Sequence, residues 1–118
     1  KVILNAAVNP LTALLRKRTG ELVENKALEP VLELIVKESV AIAAASGVKL
    51  DETKILDKIV AVAKATSDNK SSMLQDLEKG RRTEIDAING ELIARAHEHG
   101  ITCPVNELFA NMIHAAEA

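Results

Sequence analysis

The chain has 118 residues and a formal net charge of -2, from 15 Lys and Arg against 17 Asp and Glu. This balance provides no positive field to attract nucleic acid or anionic lipid, so we expect neither as a partner. Apolar residues make up 47% of the sequence but aromatic residues only 1%, so the core must be aliphatic, which favours packed helices over a β-sandwich. A chain of this length is expected to form one compact domain.

The sequence carries no mark of a secreted or membrane-spanning chain. Cys103 is the only cysteine, so no intrachain disulfide can form. No apolar run approaches the roughly 20 residues that cross a bilayer, and no signal-peptide pattern is present. We therefore expect a cytoplasmic setting. The chain opens at Lys1 in what reads as the middle of a helix, so we also expect it to be a piece of a longer protein.

The first 47 residues predict two helical regions. The opening segment 1–15 is rich in aliphatic residues, and Pro10 predicts that its helix is kinked or broken, because proline lacks an amide donor. A break is predicted at Thr19-Gly20. From Leu28 to Ala43, apolar residues then recur at spacings of three and four, which predicts a long amphipathic helix that Gly47 caps.

The remainder predicts four further helices. Asp51 is the expected N-cap of a helix ending near Ala65. Ser72 to Gln75 has the spacing of a capping box that opens a short helix ended by Gly80. Further helices are predicted from Thr83 toward Gly100, and from Pro104 onward, where proline suits the first turn. No strand-like alternation appears, so the fold class is all-α, a bundle of about six helices.

Several polar residues interrupt this apolar pattern. Lys1, Asn5 and Asn9 are four residues apart and form one polar stripe on the first helix, which either faces solvent or lines a site. Asn69 and Ser72 flank a helix start, where free N–H groups favour an anion such as a carboxylate, although local spacing favours an ordinary turn residue and cap. Those alternatives stay open on spacing alone.

Glu84 lies near the start of a helix, where a carboxylate complements the helix dipole or could instead hold a substrate hydroxyl. His97 and His99 are two residues apart and so lie on different helix faces, which argues against a metal site. Cys103 has no neighbouring histidine and is expected to be a packed thiol rather than a nucleophile. We therefore expect no metal.

Four motifs occur in fixed order along nearly the whole chain. They are K-x-x-x-N-x-x-x-N-P-L-T-A-L-L at 1–15, N-x-x-S-M-x-Q-D at 69–76, T-E-I-D-x-I-N-G at 83–90 and G-I-x-x-P-x-N at 100–106. Together they resemble the C-terminal domain of the ketopantoate reductase family. The resemblance implies a helical fold like the C-terminal domains of 6-phosphogluconate dehydrogenase-like reductases.

The resemblance also implies a function. In that family an N-terminal Rossmann domain binds NADPH, and a helical C-terminal domain supplies most substrate contacts for reducing 2-dehydropantoate to pantoate on the route to coenzyme A. Residues 1–118 would be the single helical domain, with the Rossmann domain of the same protein as its partner. The glycines of this chain form no GxGxxG turn, so we expect NADPH to bind mainly elsewhere and the chain alone to be inactive.

Site residues follow from the resemblance position by position. Lys1 matches the catalytic lysine, and Glu84 matches an active-site glutamate that is also a candidate contact to the cofactor. The positions matching substrate contacts are Asn5, Asn9, Asn69 and Ser72. Two rival functions remain: a stand-alone helical module that forms a homodimer, or a reductase of another branched 2-keto acid. A βαβ unit carrying GxGxxG upstream of Lys1 would exclude the first.

Overall fold

The computed structural model describes residues 2–118, and Lys1 lies outside the described residues. Within this range the chain is all-helical, as predicted, with seven α-helices and one 3-10 turn at Lys26–Leu28. The helices are α1 (Val2–Leu15), α2 (Thr19–Glu24), α3 (Glu29–Ala45), α4 (Glu52–Ala65), α5 (Ser72–Glu78), α6 (Ile85–Glu98) and α7 (Pro104–Glu117). The extra helix is α2, which forms where the sequence predicted only a break.

Helix α1 runs through Pro10 without interruption, so the predicted break at this residue is wrong. Proline has no N–H to donate to the carbonyl four residues earlier, which here belongs to Ala6. The side-chain amide of Asn89, on α6, donates to that carbonyl oxygen at 3.1 Å instead. Asn89 is fully buried, so a distant residue supplies the hydrogen bond that the proline removes.

Two aliphatic cores pack against adjacent faces of α1. Ile3 and Ala6 pack into the first core, with residues of α5, α6 and α7 that include Met73 and Ile85. The second core joins α1 to α2, α3, α4 and α7, and is made of Ala7, Leu11, Leu22, Leu32, Ile35, Val36, Ile59 and Phe109. Each fully buried Val, Leu, Ile, Phe or Met side chain contributes about 1.5–3 kcal/mol, so both cores hold α1 in place.

The start of α5 differs from its prediction by one residue. Ser71, rather than Ser72, is the N-cap, and its hydroxyl accepts a hydrogen bond from the Leu74 amide at 3.1 Å. The Gln75 side chain donates to the carbonyl of Lys70 at 3.1 Å instead of closing a capping box. Adjacent serines look alike in sequence, and only the backbone decides which one caps.

A carboxylate from another helix covers the start of α7, which begins at Pro104 as predicted. Glu38, on α3, accepts hydrogen bonds from the amides of Val105 and Asn106 at 2.8 and 2.7 Å. The Asn106 side chain donates to Glu38 at 2.8 Å and accepts from Asn89 at 3.1 Å. This polar chain joins α3, α7 and α6 to α1, and it fixes α1 against its neighbours.

Candidate functional site

A cleft of about 210 Å³ opens between α1, α4 and the loop that leads into α5. Helices α1 and α4 contribute apolar side chains, and asparagine, threonine and serine residues of α1, α2 and the loop add polar ones. The lining residues are Leu4, Asn5, Val8, Asn9, Thr19, Ile59, Val62, Ala63, Thr66, Asn69, Lys70 and Ser71. An apolar pocket with a few polar groups is the usual form of a small-molecule site.

The cleft brings together three of the residues that the sequence singled out. Asn5 and Asn9 lie one helical turn apart on α1, and Asn69 comes from the loop after α4. None of the side-chain hydrogen bonds within residues 2–118 engages these three amides, whereas the buried amides of Asn89 and Asn106 are bonded. Each cleft amide can therefore both donate to and accept from a ligand.

Asn69 is held in place through its backbone. Its carbonyl oxygen accepts from the amide of Thr19 at 3.0 Å and from the Thr19 hydroxyl at 3.1 Å. The neighbouring Gly20 amide donates to the carbonyl of Ser67 at 3.1 Å. A Cβ at Gly20 would lie 2.4 Å from the Ser67 Cβ, so only glycine allows α2 to approach this loop so closely.

A partly buried hydroxyl pair fixes the other end of the loop to α1. The Thr12 and Ser71 hydroxyl oxygens are 2.6 Å apart, and Thr12 also donates to the carbonyl of Asn9 at 2.9 Å. Ser71 thereby lies in the cleft wall. Ser72 follows as the exposed first residue of α5 and is not among the lining residues.

Glu84 lies apart from the residues that line the cleft. It occupies the N-cap position of α6, is exposed, and makes no capping hydrogen bond with its side chain. Its neighbour Thr83 instead binds the carboxylate of Glu117, on α7. With Lys1 outside the described residues, the roles assigned to Lys1, Ser72 and Glu84 stay predictions.

Sequence reasoning missed Thr19 and Ser71 as cleft residues, because neither is set off by the helical pattern around it.

Cys103 is fully buried. Burial, followed by the charge of Glu107, raises the pKa of its thiol to about 11. This agrees with a packed thiol rather than a nucleophile.

Comparison with known proteins decides the family. A family model described as "Ketopantoate reductase PanE/ApbA C terminal" matches residues 1–117. The chain belongs to the ketopantoate reductase family. A 2-dehydropantoate 2-reductase of Archaeoglobus fulgidus is 40% identical over 118 residues, which are 100% of this chain and 39% of that protein. The enzyme of the same name from Bacillus subtilis is 39% identical, with 99% and 38% covered.

Solved structures agree with the ketopantoate reductase fold. A family member from Ralstonia eutropha JMP134 superposes with a TM-score of 0.89 at 35% identity, covering 99% of this chain and 39% of that one. D-mandelate dehydrogenase, solved with NADH and anilino(oxo)acetate, superposes with a TM-score of 0.93 at 26% identity, covering 99% and 65%. The chain thus spans about two fifths of the length of the curated relatives it matches.

Two further structural features bear on whether this part of the chain could cross a membrane or hold a dinucleotide. No helix among residues 2–118 is both long enough and apolar enough to cross a membrane. The same residues form no strand, and Gly47, Gly80 and Gly100 lie with positive φ after helix ends rather than in a turn before a helix. The pyrophosphate of a dinucleotide needs a glycine-rich turn between strand and helix. Residues 2–118 contain no turn of this kind.

Proposed function

We propose that this chain is the substrate-binding, helical part of a longer NADPH-dependent 2-dehydropantoate 2-reductase, which reduces ketopantoate to pantoate for coenzyme A synthesis. One observation carries the proposal: the cleft gathers the side-chain amides of Asn5, Asn9 and Asn69, none bonded to another described residue. Curated relatives at 39% and 40% identity carry this enzyme's name, and these asparagines match the family's substrate contacts.

The cleft suits the chemistry of a small, branched 2-keto acid. Ketopantoate offers a carboxylate, a keto oxygen and a hydroxyl, and amide side chains can pair with all three. Ile59 and Val62 supply an apolar wall for the branched carbon. A volume of about 210 Å³ lies below the roughly 300 Å³ at which sites for drug-sized ligands begin, so the cleft favours a small acid.

Lys1 would supply the proton. Reduction of a ketone leaves negative charge on the former carbonyl oxygen, so a positioned acid at that oxygen accelerates the reaction. A lysine ammonium has an ordinary pKa of about 10.4 and is charged at neutral pH. Lys1 precedes Asn5 by four residues, Ser72 would hold the carboxylate, and Glu84 would orient Lys1 or bind the substrate hydroxyl.

The proposal places NADPH in the rest of the longer protein, since residues 2–118 do not offer a site for its pyrophosphate. This chain then contributes substrate binding and proton transfer. The contact of Glu84 with the cofactor stays a prediction from the family resemblance.

The deciding experiment uses the whole protein, including the region upstream of Lys1, and follows NADPH oxidation with ketopantoate and a panel of other 2-keto acids. Lys1→Ala should lower kcat by about a hundredfold or more, as expected for loss of a transition-state donor. Near-normal turnover in that variant would remove Lys1 from its role. Tight NADPH binding by residues 1–118 alone would contradict the proposal that the rest of the longer protein binds the cofactor.

A second candidate keeps the reaction and changes the acid. The high TM-score with D-mandelate dehydrogenase favours a reductase of another 2-keto acid, because that protein was solved with an aromatic oxo acid amide in place. The ratio of kcat/KM for ketopantoate to that for benzoylformate separates the two. A ratio below one would show that the enzyme prefers benzoylformate to ketopantoate.

A further inference from the structure

Three side chains that can bind metal converge where α6 turns into α7. His97 lies in the last turn of α6, Cys103 occupies the N-cap position of α7, and Glu107 lies one turn into that helix. Their ligand atoms all lie within 4.8 Å of one another, and the Cys103 Sγ is 3.6 Å from a carboxylate oxygen of Glu107. None of the three lines the cleft described above.

We propose that His97, Cys103 and Glu107 form a zinc-binding site that clasps the turn between α6 and α7. An imidazole nitrogen, a thiolate sulfur and a carboxylate oxygen are the three donor types that Zn²⁺ uses in proteins. The residues described around the turn supply three ligands, so the fourth tetrahedral position is open to water.

The distances suit tetrahedral zinc after small side-chain movements. Zinc binds sulfur at about 2.3 Å and nitrogen or oxygen at about 2.0 Å, so tetrahedral donors lie about 3.5 Å apart. Cys103 and Glu107 already meet that spacing, because residues four apart share one helix face. The longest separation must close by roughly 1 Å, and His97 and Glu107 are exposed, so their side chains can turn without disturbing the core.

The surrounding charges favour a cation at this turn. The C-terminal end of α6 carries partial negative charge from its carbonyl groups. The N–H groups at the start of α7, which would repel a cation, are occupied by the carboxylate of Glu38. Glu38 and Glu107 both lie close enough to Cys103 for their charges to act on it.

Zinc binding must release a proton, because the thiol of Cys103 becomes a thiolate as the Zn–S bond forms. The reaction is Zn²⁺ plus Cys–SH giving (Zn–S–Cys)⁺ and H⁺, with no change of oxidation state. Calorimetric titration in two buffers of different ionisation enthalpy counts this proton.

The test is titration of the metal-free 118-residue chain with Zn²⁺, and separately with Co²⁺ as a spectroscopic substitute. We expect one metal ion per chain, one proton released, and a thiolate-to-cobalt charge-transfer band in the near ultraviolet. His97→Gln should weaken zinc binding by at least about tenfold. His99→Gln is the matched control, since His99 is an exposed histidine two residues away, and it should bind zinc as the unaltered chain does.

Equal zinc affinity in His97→Gln and His99→Gln would overturn the proposal, as would the absence of stoichiometric binding to the unaltered chain. Glu107→Gln gives a second exposed ligand change and should also weaken binding. Cys103→Ser removes the charge-transfer band if the site is correct. Because Cys103 is buried, its variant is interpreted only with a circular dichroism spectrum like that of the unaltered chain, and the two exposed variants decide the question otherwise.

Discussion

The side-chain amide of Asn89 donates a hydrogen bond to the carbonyl oxygen of Ala6 at 3.1 Å. That carbonyl lacks a partner within its own helix because residue 10 is proline. Asn89 also donates to Asn106 at 3.1 Å, while its own carbonyl oxygen has no partner among the described residues. An unpaired buried oxygen costs about 1–3 kcal/mol, so Asn89 satisfies the acceptors on Ala6 and Asn106 while one of its own atoms stays unsatisfied.

We predict that Asn89→Ala lowers the free energy of unfolding by about 2–4 kcal/mol, because two buried acceptors lose their donor and a cavity remains. Urea denaturation measures this change. The matched background is Pro10→Ala, which restores an amide N–H to the helix and offers it to the Ala6 carbonyl.

The two changes should therefore be non-additive. In the Pro10→Ala background, Asn89→Ala should cost at least about 1 kcal/mol less than it does alone, which a double-mutant cycle measures directly. Equal costs in both backgrounds would mean that Asn89 does not replace the missing helix hydrogen bond.

Gly20→Ala should destabilise the chain by about 1–3 kcal/mol, because the added Cβ would lie 2.4 Å from the Ser67 Cβ and 2.8 Å from the Ser67 Cα. Gly90→Ala is the control. At Gly90 the nearest atom to an added Cβ lies at 3.5 Å, and alanine in a helix interior gains about 0.5–1 kcal/mol over glycine. Thermal unfolding of both variants should shift in opposite directions, and a fall of the same size in both would contradict the close contact.

Stability should also depend on the ionisation of Glu117. The Thr83 hydroxyl, 2.6 Å from the Glu117 carboxylate, lowers the pKa of this group below its ordinary 4.5. The stabilisation is therefore complete above pH 4.5 and is lost as the pH falls through the lowered pKa.

Glu117→Gln measures this contribution. The variant should be less stable than the unaltered chain at pH 7, and the two unfolding free energies should converge in acid. Thr83→Val should reduce this pH-dependent difference in unfolding free energy, since it removes the hydroxyl whose hydrogen bond most lowers the pKa of Glu117. A gap between the unaltered chain and Glu117→Gln that stays constant from pH 7 into acid would show that Glu117 has an ordinary pKa.

In the whole protein, Asn5→Ala should lower kcat/KM by about 10- to 100-fold, the cost of about 1–3 kcal/mol for one lost substrate hydrogen bond. Asn5 is exposed in this chain, so thermal stability should hardly change. Asn111, an exposed asparagine on α7, is the control, and Asn111→Ala should leave kcat/KM unchanged. Loss of activity through a falling melting temperature would assign Asn5 a structural role instead.

The sequence predicted the helices well where apolar periodicity and a cap agreed. Asp51 accepts from the amides of Thr53 and Lys54 as expected of an N-cap, and Gly47 adopts the positive φ that ends a helix. The continuity of α1 through Pro10 is not predictable locally, because proline chemistry disfavours a helix there, whereas the compensating donor lies 79 residues away on α6.

The cleft could be anticipated only in part. Asn5 and Asn9 share a helix face by spacing, but their meeting with Asn69 depends on how α2 holds a loop some 50 residues further along the chain. The convergence of His97 with Cys103 was missed for a related reason. The tight turn at Gly100, with φ of 66°, folds the two residues toward each other, and no helical spacing connects them.

Because two cores pack against α1, most of its positions are constrained, and little of its surface remains to contact a ligand. Differences in ligand preference among relatives with this architecture must then come from the positions of Asn5, Val8 and Asn9 or from the loop that faces them. Mutational libraries confined to those positions would explore new acids while sparing the scaffold.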